Sequence, residues 1–311
     1  MTIRRKVISL CLWCDVDERG LNMLRLWMCG VAALAATVSV AATLNVAAAD
    51  TLVERGSYLV NAVMACDGCH TPRGQGGAFV MEKRFSGGSQ TWDTPKYTVK
   101  GSNITPDRDT GVGAWSEADF KRALVEGVRP TGVPLAPQMP FAFYKILTPR
   151  DADAVVAYIR SVNPVRNEVQ APVYKAEAHA ELIPNAEKPI AEEALSDPVK
   201  RGFYLATIAH CMECHSRRPD GAQDYVSWWG KGGYEFKEAW GTARVSNITS
   251  HPTAGVGKWT NDELKRALVE GVGRDGRKFK PPMARHVYFS HMTEQDLNAL
   301  IAWVRTIPPL E

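Results

Sequence analysis

The chain contains the stretch Cys66-Asp67-Gly68-Cys69-His70, and the same pattern returns 145 residues later as Cys211-Met212-Glu213-Cys214-His215. A C-x-x-C-H sequence is typical of c-type haem attachment. The two thiols add to the two vinyl groups of the porphyrin, and the adjacent imidazole binds the iron from the proximal side. Two copies therefore predict two covalently attached haem c groups. The predicted thioether residues are Cys66, Cys69, Cys211 and Cys214, and the predicted iron ligands are His70 and His215.

A lone C-x-x-C has two other interpretations. It can be half of a zinc site or a redox-active dithiol. Both leave the histidine that follows the motif unexplained, and here that histidine follows twice. The repeated five-residue pattern therefore favours haem.

The first 49 residues have the features of a secretory signal. Arg25 precedes an apolar run from Leu26 to Val46, and Ala47-Ala48-Ala49 ends it. A basic start, an apolar stretch and a small-residue end predict a signal peptide over residues 1–49. Because the run is longer than a usual signal, an uncleaved membrane anchor is the alternative. Met23 is an alternative start of the chain.

The remaining cysteines, Cys11, Cys14 and Cys29, all lie in that N-terminal segment. Asp15 follows Cys14, so this pair lacks the histidine of a haem motif. Beyond residue 49 every cysteine belongs to one of the two motifs, and no thiol is left for a disulfide. Covalent haem attachment in bacteria requires export, so the motifs and the signal together predict a periplasmic protein.

The overall charge argues against one class of partner. The chain has 37 Lys and Arg against 34 Asp and Glu, a formal net charge of +3 at pH 7. Nucleic-acid binding would require a concentrated basic face, so no nucleic-acid partner is predicted.

The chain contains an internal repeat. Asn103-Ile104-Thr105 recurs as Asn247-Ile248-Thr249, and the eight residues from Lys121 to Val128 recur unchanged from Lys265 to Val272. Both pairs are 144 residues apart, which is too long for a solenoid unit and fits a whole domain. The predicted domains are residues 50–165 and 197–311, joined by a linker over residues 166–196.

Helical signals occur at the same places in both copies. Ser116 with Asp119 forms a capping-box start, and Thr260 opens the equivalent segment of the second copy. Apolar residues at helical spacing follow each start. The last helix of each copy is predicted to begin at Thr148 or Thr293. These patterns predict an all-α fold.

The order of these features resembles class I cytochrome c in both halves. That order is a helix with a Gly-x-Tyr step, C-x-x-C-H, loops, a Met-Pro-like segment and a last helix with an aromatic residue. The resemblance implies a small helical bundle wrapped around each covalently bound haem. It also implies that the first and last helices cross, with Gly56 meeting Tyr158 and Gly202 meeting Trp303.

The resemblance further implies a methionine as the second ligand of each iron. Met139, in Pro137-Gln138-Met139-Pro140, lies where the family places its ligand, and Met283 follows 144 residues later. A thioether sulfur is a soft ligand that raises the reduction potential. Met64 lies too close to Cys66 to reach the opposite face of the haem. In the second copy three alternatives remain open: Met292, His286 and His291.

Other residues have two interpretations each. Trp115 and Trp259 either donate an indole N–H to a haem propionate or belong to the core. Asn103 and Asn247 either cap a turn near the haem edge or serve turn chemistry alone. The loops after the two motifs cover the haems, form docking faces or pack as a core of their own. Their candidate contact residues are Trp228, Trp229 and Trp240.

The predicted coordination indicates electron transfer. An iron with histidine on one side and methionine on the other has no open position for substrate, so the chain is predicted to be an electron carrier and not an enzyme. Electrons would pass from a dehydrogenase partner to the respiratory chain through a terminal oxidase or a quinone-linked acceptor. The alternative is a dihaem redox enzyme, of peroxidase or thiosulfate dehydrogenase type, with a replaceable ligand on the second haem.

At the level of the whole chain, the N-I-T-P-D, G-V-G-x-W and P-x-M-P words are similar to the cytochrome subunits of membrane-associated alcohol, aldehyde and gluconate dehydrogenases. Those subunits usually bear three haems, whereas this chain has two motifs. The resemblance implies attachment to the outer face of the inner membrane, through the partner or through an uncleaved N-terminal segment.

Overall fold

The computed structural model describes residues 51–311, apart from residues 178, 181, 239 and 240. The predicted signal peptide, residues 1–49, lies outside the described residues, and so does the candidate contact residue Trp240. Cleavage of the N-terminal segment therefore stays a prediction.

Helices follow one another in the same order in the two halves of the described chain. In the first half, α1 covers residues 51–58 and continues as a π-helical turn, Leu59–Met64, before α2 (Asp67–His70), α3 (Glu117–Glu126), α4 (Phe141–Tyr144) and α5 (Pro149–Ser161). The second half contains α6 (Pro198–Ile208), α7 (Cys211–His215), α8 (Asn261–Val269), α9 (His286–Phe289) and α10 (Glu294–Val304). Short 3-10 turns lie at Gln75–Gly77, Met81–Lys83 and Glu192–Ser196.

The predicted helix starts are confirmed by their capping contacts. The Ser116 hydroxyl accepts a hydrogen bond from the Asp119 backbone N–H at 3.1 Å, and the Asp119 carboxylate accepts from the Ser116 backbone N–H. Thr260 and Glu263 form the same reciprocal pair at α8. Thr148 caps α5, where proline occupies the first helical position. These caps satisfy backbone N–H groups that have no partner within the helix.

Short antiparallel strands add to the helices. In the first half β1 (Thr91–Asp93) pairs with β2 (Tyr97–Lys100), which also pairs with β3 (Val173–Tyr174). In the second half β4 (Glu235–Glu238) pairs with β5 (Gly241–Arg244). The prediction of a mainly helical fold is confirmed, and the strands correct its all-α form. They lie in segments that the sequence analysis treated as loops, although β-branched and aromatic residues make up much of β1 and β2.

The first and last helices of each half cross at a glycine, as predicted. A Cβ atom built on Gly56 would lie 1.9 Å from the Ala154 carbonyl oxygen and 2.7 Å from the Tyr158 Cβ. In the second half a Cβ on Gly202 would lie 2.6 Å from the Trp303 Cβ. Only a residue without a side chain allows this approach, so the crossing explains both glycines.

The predicted linker packs on the first half of the chain. Strand β3 extends the β1–β2 sheet. Further along, Ile183 and Ala186 are buried, and the Ile190 backbone N–H donates to the Ile146 carbonyl oxygen at 3.0 Å. The segment therefore buries apolar side chains of its own, which accounts for a connection of this length. Its proposed limits, residues 166–196, stay a prediction.

The two halves contact each other through reciprocal polar contacts. The Tyr58 hydroxyl on α1 donates to Asp296 Oδ2 on α10 at 2.5 Å. The Tyr204 hydroxyl on α6 donates to Asp151 Oδ2 on α5 at 2.6 Å. Each aspartate also forms a salt bridge within its own half, Asp151 with Arg55 and Asp296 with Arg201. Contacts that are repeated in both directions are the pattern of a two-fold interface between copies.

Among the described residues, no helix combines the length and the apolar character that crossing a membrane requires.

Candidate functional site

Both C-x-x-C-H motifs lie on a short helix that follows a break in the preceding one. The break is a residue with a left-handed backbone conformation. It is Ala65 (φ 55°) before the first motif and His210 (φ 46°) before the second. One helical turn then follows, over α2 or α7. Because residues three apart lie on the same face of a helix, Cys66 and Cys69 project together, as do Cys211 and Cys214. This geometry allows two thiols to reach one porphyrin edge.

A backbone carbonyl orients the histidine of each motif. His70 Nδ1 lies 2.7 Å from the Ser102 carbonyl oxygen, and His215 Nδ1 lies 2.8 Å from that of Ser246. Since a carbonyl oxygen only accepts, Nδ1 carries the proton and Nε2 keeps its lone pair for a metal. Burial also lowers the pKa of both histidines, which favours the neutral imidazole. This is the arrangement of a metal-binding histidine held by its second nitrogen.

Ser102 and Ser246 are functional positions that the sequence analysis missed. They precede the repeated Asn-Ile-Thr word, so the shared S-N-I-T pattern was the available signal. Two glycines allow the Ser102 and Ser246 carbonyls to lie close to the histidines. The Gly87 N–H donates to the His70 carbonyl oxygen at 2.7 Å, and a Cβ on Gly87 would lie 2.5 Å from the Ser102 carbonyl carbon. Gly232 makes the equivalent approach in the second half.

Turn chemistry explains the two repeated asparagines. Asn103 Oδ1 accepts from the Thr105 backbone N–H at 3.0 Å, and its Nδ2 donates to the Val165 carbonyl oxygen at 2.8 Å. Asn247 makes the same turn and donates to the Leu310 carbonyl oxygen at 2.7 Å. Each asparagine therefore ties the chain after the last helix to the segment that holds the proximal histidine.

The four motif thiols do not have the properties of reactive thiolates. Burial raises the pKa of Cys66 and Cys214 to about 12, and that of Cys69 and Cys211 to about 11. A redox dithiol would require a lowered pKa. Nor do three or more His, Cys, Asp or Glu side chains converge as metal ligands anywhere in the described part of the chain. The raised pKa values of the thiols disfavour the dithiol interpretation. Two paired thiols beside an imidazole with an available Nε2 fit covalent haem.

Met139 and Met283 lie in equivalent turns, and both are partly buried. The Met139 carbonyl oxygen accepts from the Phe141 N–H at 2.8 Å, and the Met283 carbonyl oxygen accepts from the Arg285 N–H at 2.6 Å. The equivalence agrees with the repeat register that singled out these two methionines. Their role as iron ligands stays a prediction.

Three other residues of the second half were candidates for the second iron ligand: Met292, His286 and His291. The first two have packing roles in the structure, and the third is exposed. Met292 is 7% exposed, and its N–H donates to the carbonyl oxygen three residues earlier. The buried Leu147, 145 residues before it, makes the same hydrogen bond, so Met292 occupies a core position. His286 packs against Gly271 as Phe141 packs against Gly127. His291 is exposed. In the first half, Met64 is fully buried in the core.

The repeated tryptophans keep both of their interpretations. Trp259 lines an open cavity of about 380 Å³ together with Ser246 and Phe279. Its position beside the carbonyl that orients His215 is compatible with a contact to a haem edge. Trp115 packs edge-on against Phe120, with 6.4 Å between the ring centroids.

Two domains that each combine paired thiols with a carbonyl-oriented histidine define a c-type haem protein with two haems. The chain belongs to the cytochrome c family, since the family model for cytochrome c matches residues 53–163 and again residues 199–308. Its cofactors are two covalently attached haem c groups.

Relatives of this chain include cytochrome subunits of dehydrogenases. The gluconate 2-dehydrogenase cytochrome c subunit of Pantoea cypripedii is 30% identical over 87% of this chain and 63% of its own length. The fructose dehydrogenase cytochrome subunit of Gluconobacter japonicus is 29% identical over 82% of this chain and 52% of its own length. A diheme cytochrome c-type protein of Cereibacter sphaeroides is 27% identical over 79% of this chain and 83% of its own length. The chain thus spans between about half and somewhat under two thirds of the length of the two dehydrogenase subunits.

Proposed function

We propose that this chain is a periplasmic dihaem cytochrome c that takes electrons from a dehydrogenase partner and passes them towards the respiratory chain. The observation that carries the proposal is the pair of histidine–carbonyl hydrogen bonds, one behind each C-x-x-C-H motif. The histidine of each motif is oriented by the same kind of hydrogen bond, which supports two equivalent redox centres.

The protein residues would supply both iron ligands in each domain. We propose His70 with Met139 for the first haem and His215 with Met283 for the second. Bound haem supplies an iron that gains and loses one electron. Protein ligands on both sides leave no position for a substrate, and the hydrogen bond from each proximal histidine to a backbone carbonyl limits rearrangement between oxidation states. These properties suit an electron carrier and not an enzyme.

The names of the relatives support a dehydrogenase as the electron donor. Two of them are cytochrome subunits of gluconate and fructose dehydrogenases. We propose a terminal oxidase or a quinone-linked protein as the acceptor. Covalent haem and the signal-like segment 1–49 support the periplasm as the location. The outer face of the inner membrane is the proposed site of action, with attachment through the partner or through that segment.

The experiment that tests this function follows haem reduction by dehydrogenase substrates. The tagged chain is isolated with its membranes, and gluconate, fructose, ethanol or an aldehyde is added while the α-band of reduced haem is recorded. One substrate is expected to reduce the haems, and a Cys211→Ala/Cys214→Ala variant is expected to lose about half of the signal. A chain that no dehydrogenase substrate reduces, while dithionite reduces it fully, would contradict the proposed donor.

A further inference from the structure

A short hairpin leads from α3 or α8 towards the predicted methionine ligand of each half. An antiparallel bridge closes both hairpins, between Val128 and Pro134 in the first half and between Val272 and Lys278 in the second. The two bridges are 144 residues apart, which is the spacing of the repeat. The hairpins therefore share one register, and they differ in the side chains that they carry.

The second hairpin carries a cluster of exposed cations that the first lacks. At the repeat spacing, five cations replace five uncharged residues: Lys258, Arg274, Arg277, Lys278 and Lys280 stand in the places of Ala114, Pro130, Val133, Pro134 and Ala136. Residues 258 and 273–280 together form what we call the basic hairpin. Asp275 is its single acid, so its formal charge is +4, whereas Arg129 alone gives the equivalent residues of the first half +1.

Neighbouring carboxylates do not cancel this difference. Glu263 Oε1 lies 3.1 Å from Arg274 Nε, but Asp119 supplies the same charge at the equivalent place in the first half. Asp275 Oδ2 lies 3.7 Å from Arg277 Nε, and both of these side chains are exposed. Exposed ion pairs are weak and screened by salt, so the basic hairpin keeps a positive surface.

The basic hairpin lies at the second haem motif. Arg274 and Arg277 line the open cavity of about 380 Å³ to which Trp259 and Ser246 also contribute. Ser246 is the residue whose carbonyl oxygen orients His215. The cations thus surround a concave surface next to the second redox centre.

In the first half, the linker lies against the equivalent hairpin. The Tyr174 hydroxyl on β3 donates to the Pro134 carbonyl oxygen at 2.7 Å, and Arg129 Nη1 donates to the same oxygen at 2.8 Å. The corresponding sheet of the second half consists of β4 and β5, and the described chain adds no third strand to it. The repeat therefore leaves the second hairpin accessible and covers part of the first.

We propose that the basic hairpin is the surface on which the chain docks a redox protein with an acidic face, so that electrons are exchanged with that partner at the second haem. Complementary charge steers a partner to its site and raises the association rate. Arginine and aromatic residues, here Arg274, Arg277 and Trp259, are enriched at protein–protein interfaces. The inference rests on the proposed two-haem carrier, because it requires a haem at the second motif.

The test uses an acidic flavodoxin as the probe, reduced beforehand and mixed with the oxidised, haem-loaded full chain in a stopped-flow spectrometer. One electron passes from the reduced flavin to one ferric haem. The rate should fall as ionic strength rises from about 10 to about 100 mM, because the Debye length shortens from about 30 to about 10 Å. Arg277→Glu/Lys278→Glu should lower the rate at low ionic strength about tenfold and remove most of its salt dependence.

Two comparisons make this result specific. Arg108→Glu/Lys188→Glu reverses two exposed cations of the first half and the linker, and it should leave the rate close to that of the wild type. Reduction by a neutral hydroquinone should be the same in all of these variants, which shows that the haems are intact. Cys211→Ala/Cys214→Ala should lose the salt-dependent reaction, whereas Cys66→Ala/Cys69→Ala should keep it.

Several results would overturn the inference. They are an unchanged rate in Arg277→Glu/Lys278→Glu, an equal loss in the control, or salt-dependent reduction that survives without the second haem. Binding to phosphatidylglycerol vesicles that this variant abolishes, with an unchanged flavodoxin rate, would assign the hairpin to a membrane surface instead. Fewer than two haems per wild-type chain, or a high-spin haem, would contradict the proposed function itself.

Discussion

Replacing Tyr58 by phenylalanine tests the reciprocal contacts that hold the two cytochrome domains together. The Tyr58 hydroxyl is the partner of Asp296 Oδ2, while Arg201 Nε binds the other oxygen, Oδ1, at 2.5 Å. Asp296 is 1% exposed. The variant therefore leaves one buried carboxylate oxygen without a partner from the described residues.

The structure predicts different costs for the two equivalent tyrosines. A hydrogen bond to a charged group contributes about 1.5–3 kcal/mol, and an unsatisfied buried group keeps its full desolvation penalty. Tyr58→Phe should therefore lower the free energy of unfolding by an amount in the upper half of this range. Tyr204→Phe should fall in the lower half, because Asp151 Oδ2 keeps the guanidinium of Arg55 at 2.7 Å.

The assay is urea unfolding of the haem-loaded chain, followed by far-ultraviolet circular dichroism and by haem absorption. Tyr174→Phe is the matched control, since its hydroxyl donates to the Pro134 carbonyl oxygen at an exposed position. It should cost about 0.5–1 kcal/mol. The reasoning fails if Tyr58→Phe costs no more than this control, or less than Tyr204→Phe.

Three further predictions concern the helix crossing, the second haem ligand and pH. Gly202→Ala places a methyl group 2.0 Å from the Ala299 carbonyl oxygen, so the free energy of unfolding should fall by about 1–3 kcal/mol in the same urea assay. Met283→Leu should abolish the methionine–iron charge-transfer absorption of one haem, whereas Met292→Leu should keep both contributions; the reverse would reassign the ligand. Burial and the hydrogen bond to its aspartate raise the pKa of Tyr58 from 10.0 to about 12. Its protonated form is favoured in the fold, so this contribution to stability is complete below pH 10 and lost as the pH rises through 12, and the alkaline limb of a stability–pH curve should flatten in Tyr58→Phe.

The features that sequence alone predicted are local or repeated. Capping pairs such as Ser116 with Asp119 act within one turn, so the residues that form them are adjacent in the sequence. The crossing of Gly56 with Tyr158 is not local. It was predictable because the resemblance to class I cytochrome c supplied the partner, and the second copy repeated it.

The features that sequence missed depend on distant partners. Strand β3 forms by pairing with β2, more than 70 residues earlier. Its two residues, Val173 and Tyr174, are of types common in strands, but a run of two is too short to predict a strand. The Tyr58 and Tyr204 hydroxyls meet aspartates of the opposite domain, which no repeat within one domain reveals.

The most direct test of two His/Met haems in one electron carrier is a reductive titration of the purified chain followed by its optical spectrum. Two electrons should be taken up per chain, and the oxidised form should show methionine–iron charge-transfer absorption from both haems. An uptake of one electron, a high-spin haem or turnover of peroxide would contradict the account.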